Sequence, residues 1–97
     1  MMKKTILIVD DEPNYATLVR ESCMLLNNCH EVSCAESAEE ALEILDNKKF
    51  DIIISDIAMA GMDGVQFLEI VRARYPQVAV IMCSGYGTIR IAVKCLQ

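Results

Sequence analysis

Short, almost continuously apolar runs recur along this chain, each followed by a helix-like pattern, and that alternation limits the fold more than any other feature. Thr5-Ile6-Leu7-Ile8-Val9 is apolar and mostly β-branched, as a strand buried on both faces requires. Glu31 to Ala35 alternates, with Val32 and Cys34 to one side, which predicts a short edge strand. Asp51-Ile52-Ile53-Ile54-Ser55-Asp56 predicts a third strand and Val78 to Cys83 a fourth. Pro13 suits the first turn of a helix whose face carries Tyr15, Leu18, Val19, Ser22, Leu25 and Leu26. Ser37 and Glu40 have the spacing of a capping box, and Ala38, Ala41, Leu42 and Leu45 follow at helical spacing. After a loop rich in Gly and Met (Ala58 to Gly64), Val65, Leu68, Val71 and Tyr75 mark a third helix that Pro76 closes. Ser84-Gly85-Tyr86-Gly87 predicts a turn. Thr88 then caps a last helix with Ile89, Ala92, Val93 and Leu96 on one face.

Strand then helix, four times over, predicts one α/β domain: a doubly wound parallel sheet with helices on both faces. Right-handed crossovers bring the C-terminal ends of all strands to one edge. In open sheets of this kind, ligands bind at that edge where the strand order reverses.

Charge narrows the partners. Fourteen acids against nine Lys and Arg leave a net charge of −5, which disfavours direct binding to nucleic acid or to an anionic membrane. The longest apolar run, Val78 to Cys83, is far below the ~20 residues that span a bilayer. The run after Lys3 and Lys4 is too short for a signal-peptide core, so the expected location is the cytoplasm. Five cysteines (Cys23, Cys29, Cys34, Cys83 and Cys95), with no C-x-x-C pair, read as small buried hydrophobes. The single histidine, His30, reads as a surface turn residue.

Two strand ends carry acids. Asp10-Asp11-Glu12 follows the first strand, and Asp56 ends the third. Taken alone, the first is as well explained by helix capping and the second by a turn. Together, on neighbouring strands, they would converge in one crevice, where packed carboxylates repel unless a cation joins them. A few hard oxygen ligands with open positions suit Mg²⁺ better than zinc or a full calcium cage. No glycine-rich anion loop follows the first strand, and no Ser-His-Asp or Cys-His set is present. An Asp beside Mg²⁺ can instead act as a nucleophile on phosphorus and form an aspartyl phosphate. Ser84, ending the fourth strand, could donate a hydrogen bond to a phosphoryl oxygen; as a plain turn residue it would need no such role.

These residues carry a resemblance. Ile8-Val9-Asp10-Asp11-Glu12-Pro13, Ser55-Asp56-Ile57-Ala58-Met59, Gly61-Met62-Asp63-Gly64 and Ser84-Gly85-Tyr86-Gly87-Thr88, in this order and spacing, resemble the receiver domain of bacterial two-component response regulators. The last motif is most similar to receivers attached to enhancer-binding transcription activators. The resemblance spans the whole chain, 1–97, and implies a flavodoxin-like fold with strand order 2-1-3-4-5. It implies that Asp56 is the phosphoacceptor and that Asp11 binds Mg²⁺ directly. Asp10 would assist through the metal's water shell, and the Ala58 backbone carbonyl would add a ligand. Ser84 would be the switch hydroxyl, and Gly64 would permit the tight turn opening the third helix. A sensor histidine kinase would be the phosphoryl donor. The domain would then be an acceptor that phosphorylates and dephosphorylates itself, not an enzyme acting on others.

Two departures from the pattern stand out. The family usually has Pro four residues after the phosphoacceptor; here Ala60 stands there, which frees φ and predicts a more mobile loop. The fold also normally has a fifth strand, ending in a Lys that pairs with the phosphoryl group, and a fifth helix. Only four of the five strand–helix units fall within these 97 residues. Arg90 and Lys94 read as solvated and do not replace that Lys. Without the fifth unit, Val78 to Cys83 becomes an apolar edge, and the sheet face near the first and third strands is expected to open. Baring ~400 Å² of apolar surface would cost ~10 kcal/mol. The chain is therefore expected to be a fragment, or to pair with a second copy through the fourth strand and last helix. The alternative function is a phosphorylation-independent, receiver-like interaction module, or an inactive fragment.

Overall fold

The computed structural model describes residues 3–11, 21, 30–59 and 61–95. Apart from Glu21, the helix expected over 13–26 lies outside them, as do Glu12, Cys23, Cys29, Ala60 and Leu96.

The described strands are β1 (Lys4–Val9), β2 (His30–Ala35), β3 (Ile52–Asp56) and β4 (Ala79–Cys83), and the helices are α1 (Ala38–Asn47), α2 (Gly64–Arg74) and α3 (Tyr86–Cys95). The strands pair in the order β2-β1-β3-β4, and every pairing is parallel. The alternating pleat divides the apolar side chains into two sets. Leu7, Val9 and Ile53 meet Ala38, Ala41 and Leu45 of α1 and Phe67 and Val71 of α2. Ile6, Ile8, Ile54 and Cys83 face the other way, against Ile89 and Val93 of α3. Both faces of β1 and β3 are thus covered, which is why these strands read as unbroken apolar runs.

This arrangement corrects the expected opening over the first and third strands. Ile6, Ile8 and Ile54 have no exposed surface, and Ile89 and Val93 of α3 pack in the same cluster. The bare edge is found as expected: β4 ends the sheet, with Ala79 exposed and Val80, Ile81 and Met82 half-buried.

The helix starts show local chemistry at work. Ser37 caps α1 by accepting from the Glu40 N–H at 3.0 Å. The returning Glu40 carboxylate takes the Glu36 N–H, at 3.4 Å, so the box closes one residue early. A full capping box opens α2 instead, between Asp63 and Gln66. The stripe expected on that helix is displaced: Val65 is 54% exposed, and Phe67 is buried in its place. At 100° per residue, Val65 sits well off the line through Gly64, Phe67 and Val71. Thr88 does not cap the last helix. α3 starts two residues earlier, at Tyr86, and the Ile89 N–H donates to the Gly85 carbonyl.

His30 is also corrected. It opens β2 as a buried residue, and its Nδ1 accepts the Lys4 N–H at 3.3 Å. Edge pairing of β2 with β1 buries the ring that sequence reading placed in a surface turn.

Candidate functional site

Register brings the acids together. Val9 pairs with Ser55, so the next residues, Asp10 and Asp56, leave the sheet side by side. The Asp10 N–H donates to the Ala35 carbonyl at 3.1 Å, which holds the chain in line just past β1. Asp10 and Asp56 are buried, Asp11 is exposed, and a carboxylate oxygen from each lies within 4.8 Å of the others. The three come from two strand ends at the predicted edge, where the order reverses between β2-β1 and β1-β3.

Their surroundings are backbone donors and one thiol. The Ala58 N–H donates to Asp56 Oδ1 at 3.1 Å, which turns the carboxylate towards the following loop. Cys83 is the register partner of Asp56, and its carbonyl accepts the Ile57 N–H at 2.8 Å. Burial pushes the Cys83 thiol above its ordinary range, and the charges of Asp56 and then Asp10 push it further the same way. The thiol thus senses the negative potential of the cluster.

Gly64 has a role other than the one expected. It is not in a left-handed conformation. Its need is close approach: a Cβ there would lie 2.6 Å from the Asp56 carbonyl oxygen and 2.6 Å from Ile57 Cα. The Gly64 N–H donates to the Ile57 carbonyl at 2.8 Å. The start of α2 is therefore packed directly on the backbone that carries Asp56.

Ser84 follows Cys83 at the same edge and is exposed. Its hydroxyl lies 3.1 Å from Thr88 Oγ1 on the first turn of α3. Ala58 is exposed in the loop two residues past Asp56. Concavity does not mark the site. A cavity of about 610 Å³ lies at the opposite edge, lined by Leu45, Phe50, Tyr75 and Val78 among others. Chemistry places the site at the carboxylates instead.

The donor set fits a hard divalent cation. It is oxygen-only, two of its three carboxylates are buried, and one is open to solvent, leaving room for water or a phosphoryl oxygen. Asp10, Asp11 and Asp56 would hold the ion. Sequence reading missed the contact of Glu39 with the loop after β3, because tertiary proximity leaves no local signal. It also passed over the Asp63–Gln66 box, whose D-x-x-Q spacing was visible.

Fold and site together define a doubly wound α/β domain with a cluster of three carboxylates at its switch edge. The model of the response regulator receiver domain family matches residues 6–97, and the chain belongs to that family. It is 38% identical over 97 residues to the response regulator protein FleR of Pseudomonas aeruginosa, covering 100% of this chain and 20% of that protein. It is 32% identical over 92 residues to the transcriptional regulatory protein ZraR of Escherichia coli, covering 95% of this chain and 20% of that one. The chemotaxis response regulator CheY4 of Vibrio cholerae superposes with a TM-score of 0.71 at 31% identity, over 84% of this chain and 68% of that one. The chain thus spans about a fifth of the length of the FleR and ZraR relatives. No helix among the described residues is long and apolar enough to cross a membrane.

Proposed function

We propose that this receiver domain takes a phosphoryl group from a sensor histidine kinase onto Asp56. The observation that carries the proposal is the convergence of Asp10, Asp11 and Asp56 within 4.8 Å at the switch edge. An Asp56 carboxylate oxygen attacks phosphorus, the bond from phosphorus to the donor nitrogen breaks, and the nitrogen keeps the electron pair. A bound Mg²⁺ would supply charge neutralisation for the phosphoryl oxygens. Asp10, Asp11, Asp56 and the Ala58 carbonyl would hold it. The Ala58 N–H, donating to Oδ1 at 3.1 Å, fixes the orientation of the Asp56 carboxylate for both tasks.

Ser84 then leaves Thr88 and donates to a phosphoryl oxygen, and the start of α3 follows. The domain modifies itself and turns over no other substrate. It works in the cytoplasm within a transcription-regulating system, as the name of ZraR supports, and does not bind nucleic acid itself. The uncharged β4 edge with α3 is the surface on which a second copy would pair.

Labelling by acetyl phosphate with Mg²⁺ tests this reading. The wild-type chain takes label and Asp56→Asn does not; undiminished labelling of Asp56→Asn refutes the role of Asp56. The intact carboxylate set disfavours a phosphorylation-independent module. An unchanged amide spectrum on adding Mg²⁺ and beryllofluoride would restore that alternative.

A further inference from the structure

We propose that Glu39 is a positioning residue for the phosphoacceptor loop, acting across from α1 to hold the segment that carries Ala58 against Asp56. This inference rests on the reading of Asp56 given above.

The loop from Ile57 to Asp63 leaves the sheet directly after Asp56. Its first part is held from below: the Ala58 N–H bonds Asp56 Oδ1, and the Met59 side chain is buried among the residues under α1 and α2. Its last part is held by the bond from the Gly64 N–H to the Ile57 carbonyl. Between these ends the chain turns through Gly61, which has φ +76°. There the Met62 N–H donates to Glu39 Oε2 at 3.2 Å. The same oxygen would lie 3.3 Å from a Cβ on Gly61, so the carboxylate rests against the Gly61–Met62 peptide.

Three features suit Glu39 to this task. It lies in the first turn of α1, where the helix N-terminus favours a negative side chain. The helix is anchored by its Ser37 cap and by Ala38, Ala41 and Leu45 in the core, so the carboxylate is presented from a fixed frame. Glu39 also stands outside the converging set of Asp10, Asp11 and Asp56, and is therefore not tied up by a cation there. No proline stands between Ile57 and Asp63, so the loop's own sequence supplies little stiffness. A restraint from a neighbouring helix then matters more to the alignment of Ala58 with Asp56.

The test compares wild type, Glu39→Gln and Glu39→Ala in the full chain. Amide hydrogen exchange is read at Met62 and Ala58, and the labelling rate is read with acetyl phosphate and Mg²⁺. Gln retains an acceptor oxygen; Ala has none and is a good helix former. Glu39→Ala should exchange about tenfold faster at both amides, the scale of one lost hydrogen bond, and label several-fold more slowly. Glu39→Gln should stay close to wild type in both. Wild-type exchange or labelling in Glu39→Ala overturns the proposal, and so does a Glu39→Gln variant as impaired as Glu39→Ala. A wild-type chain that takes no label would instead refute the phosphoacceptor reading. The exchange rates, which need no phosphoryl group, would still decide the tether.

Discussion

Replacing Gly64 with Ala should be among the most damaging single-methyl changes in this domain. The new Cβ would stand 2.6 Å from the Asp56 carbonyl oxygen, 2.6 Å from Ile57 Cα and 2.7 Å from the Ile57 carbonyl oxygen. All three are backbone atoms, so no side-chain rotation relieves the overlap. Reaching an ordinary separation of ~3.5 Å needs a shift approaching ~1 Å between α2 and the end of β3. Overpacking of this kind costs ~1–3 kcal/mol. Losing the bond from Gly64 N–H to Ile57 adds ~1 kcal/mol, and the better helix propensity of Ala returns a similar amount. The net loss of ~1–3 kcal/mol should lower the melting temperature by about 5–20 °C in a domain of this size. Gly87 is the control. It lies within α3 with nothing within 4 Å of its would-be Cβ, so Gly87→Ala should leave stability unchanged or raise it by up to ~1 kcal/mol. Thermal unfolding followed by circular dichroism reads both variants. A Gly64→Ala chain melting within ~2 °C of wild type would show that the close approach at Asp56 does not constrain the fold.

Gly64 also illustrates what was legible in the sequence. Period-two and period-3.6 patterns revealed the strands, the helices and the edge bearing Asp10, Asp11 and Asp56, because burial imposes those periods directly; which strands are neighbours was implied only by the family resemblance. The reason for Gly64 was not legible: a glycine needed for a turn and one needed for a close approach look alike in a sequence. Val65 and Phe67 show a related ambiguity, since several apolar residues on one helix allow more than one stripe until a partner surface selects it. His30 reads as polar in isolation, yet it is buried at the start of β2, where it lies in register with Lys4 of β1 and accepts the Lys4 N–H. The start of α3 was misplaced because Thr88 has capping chemistry, yet its hydroxyl engages Ser84 instead. The packing of Ile89 and Val93 into one cluster with Ile6, Ile8 and Ile54 depends on which face the last helix takes, and its own amphipathic stripe fits either.

The remaining predictions concern the ion and the buried thiol. Mg²⁺ at 100 times its dissociation constant should stabilise the wild-type chain by ~2.7 kcal/mol, and EDTA should remove that gain. Asp11→Asn should lose most of the gain while folding normally without metal, since Asp11 is exposed; a full Mg²⁺ response in that variant would exclude it as a ligand. Cys83 provides a pH test whose sign is set by the site. Its folded pKa is raised by burial first, then by the charges of Asp56 and Asp10. A raised pKa means that the native state favours the protonated thiol. The associated stability is therefore fully present below the ordinary thiol value of ~8.5 and is lost as pH climbs through the folded value. Tyr75 is shifted upward as well, chiefly by its hydrogen bond to Asp46, so alkaline destabilisation of the wild type alone would not isolate the thiol. The difference between wild type and Cys83→Ala cancels the Tyr75 contribution. Urea unfolding at pH 8 and pH 10 should show wild type losing more stability than Cys83→Ala. Asp56→Asn, which removes the larger of the two charge contributions, should narrow that gap. Equal losses in wild type and Cys83→Ala would mean that the thiol does not feel the carboxylates, and that the negative potential of the cluster does not reach the β4 strand beneath it.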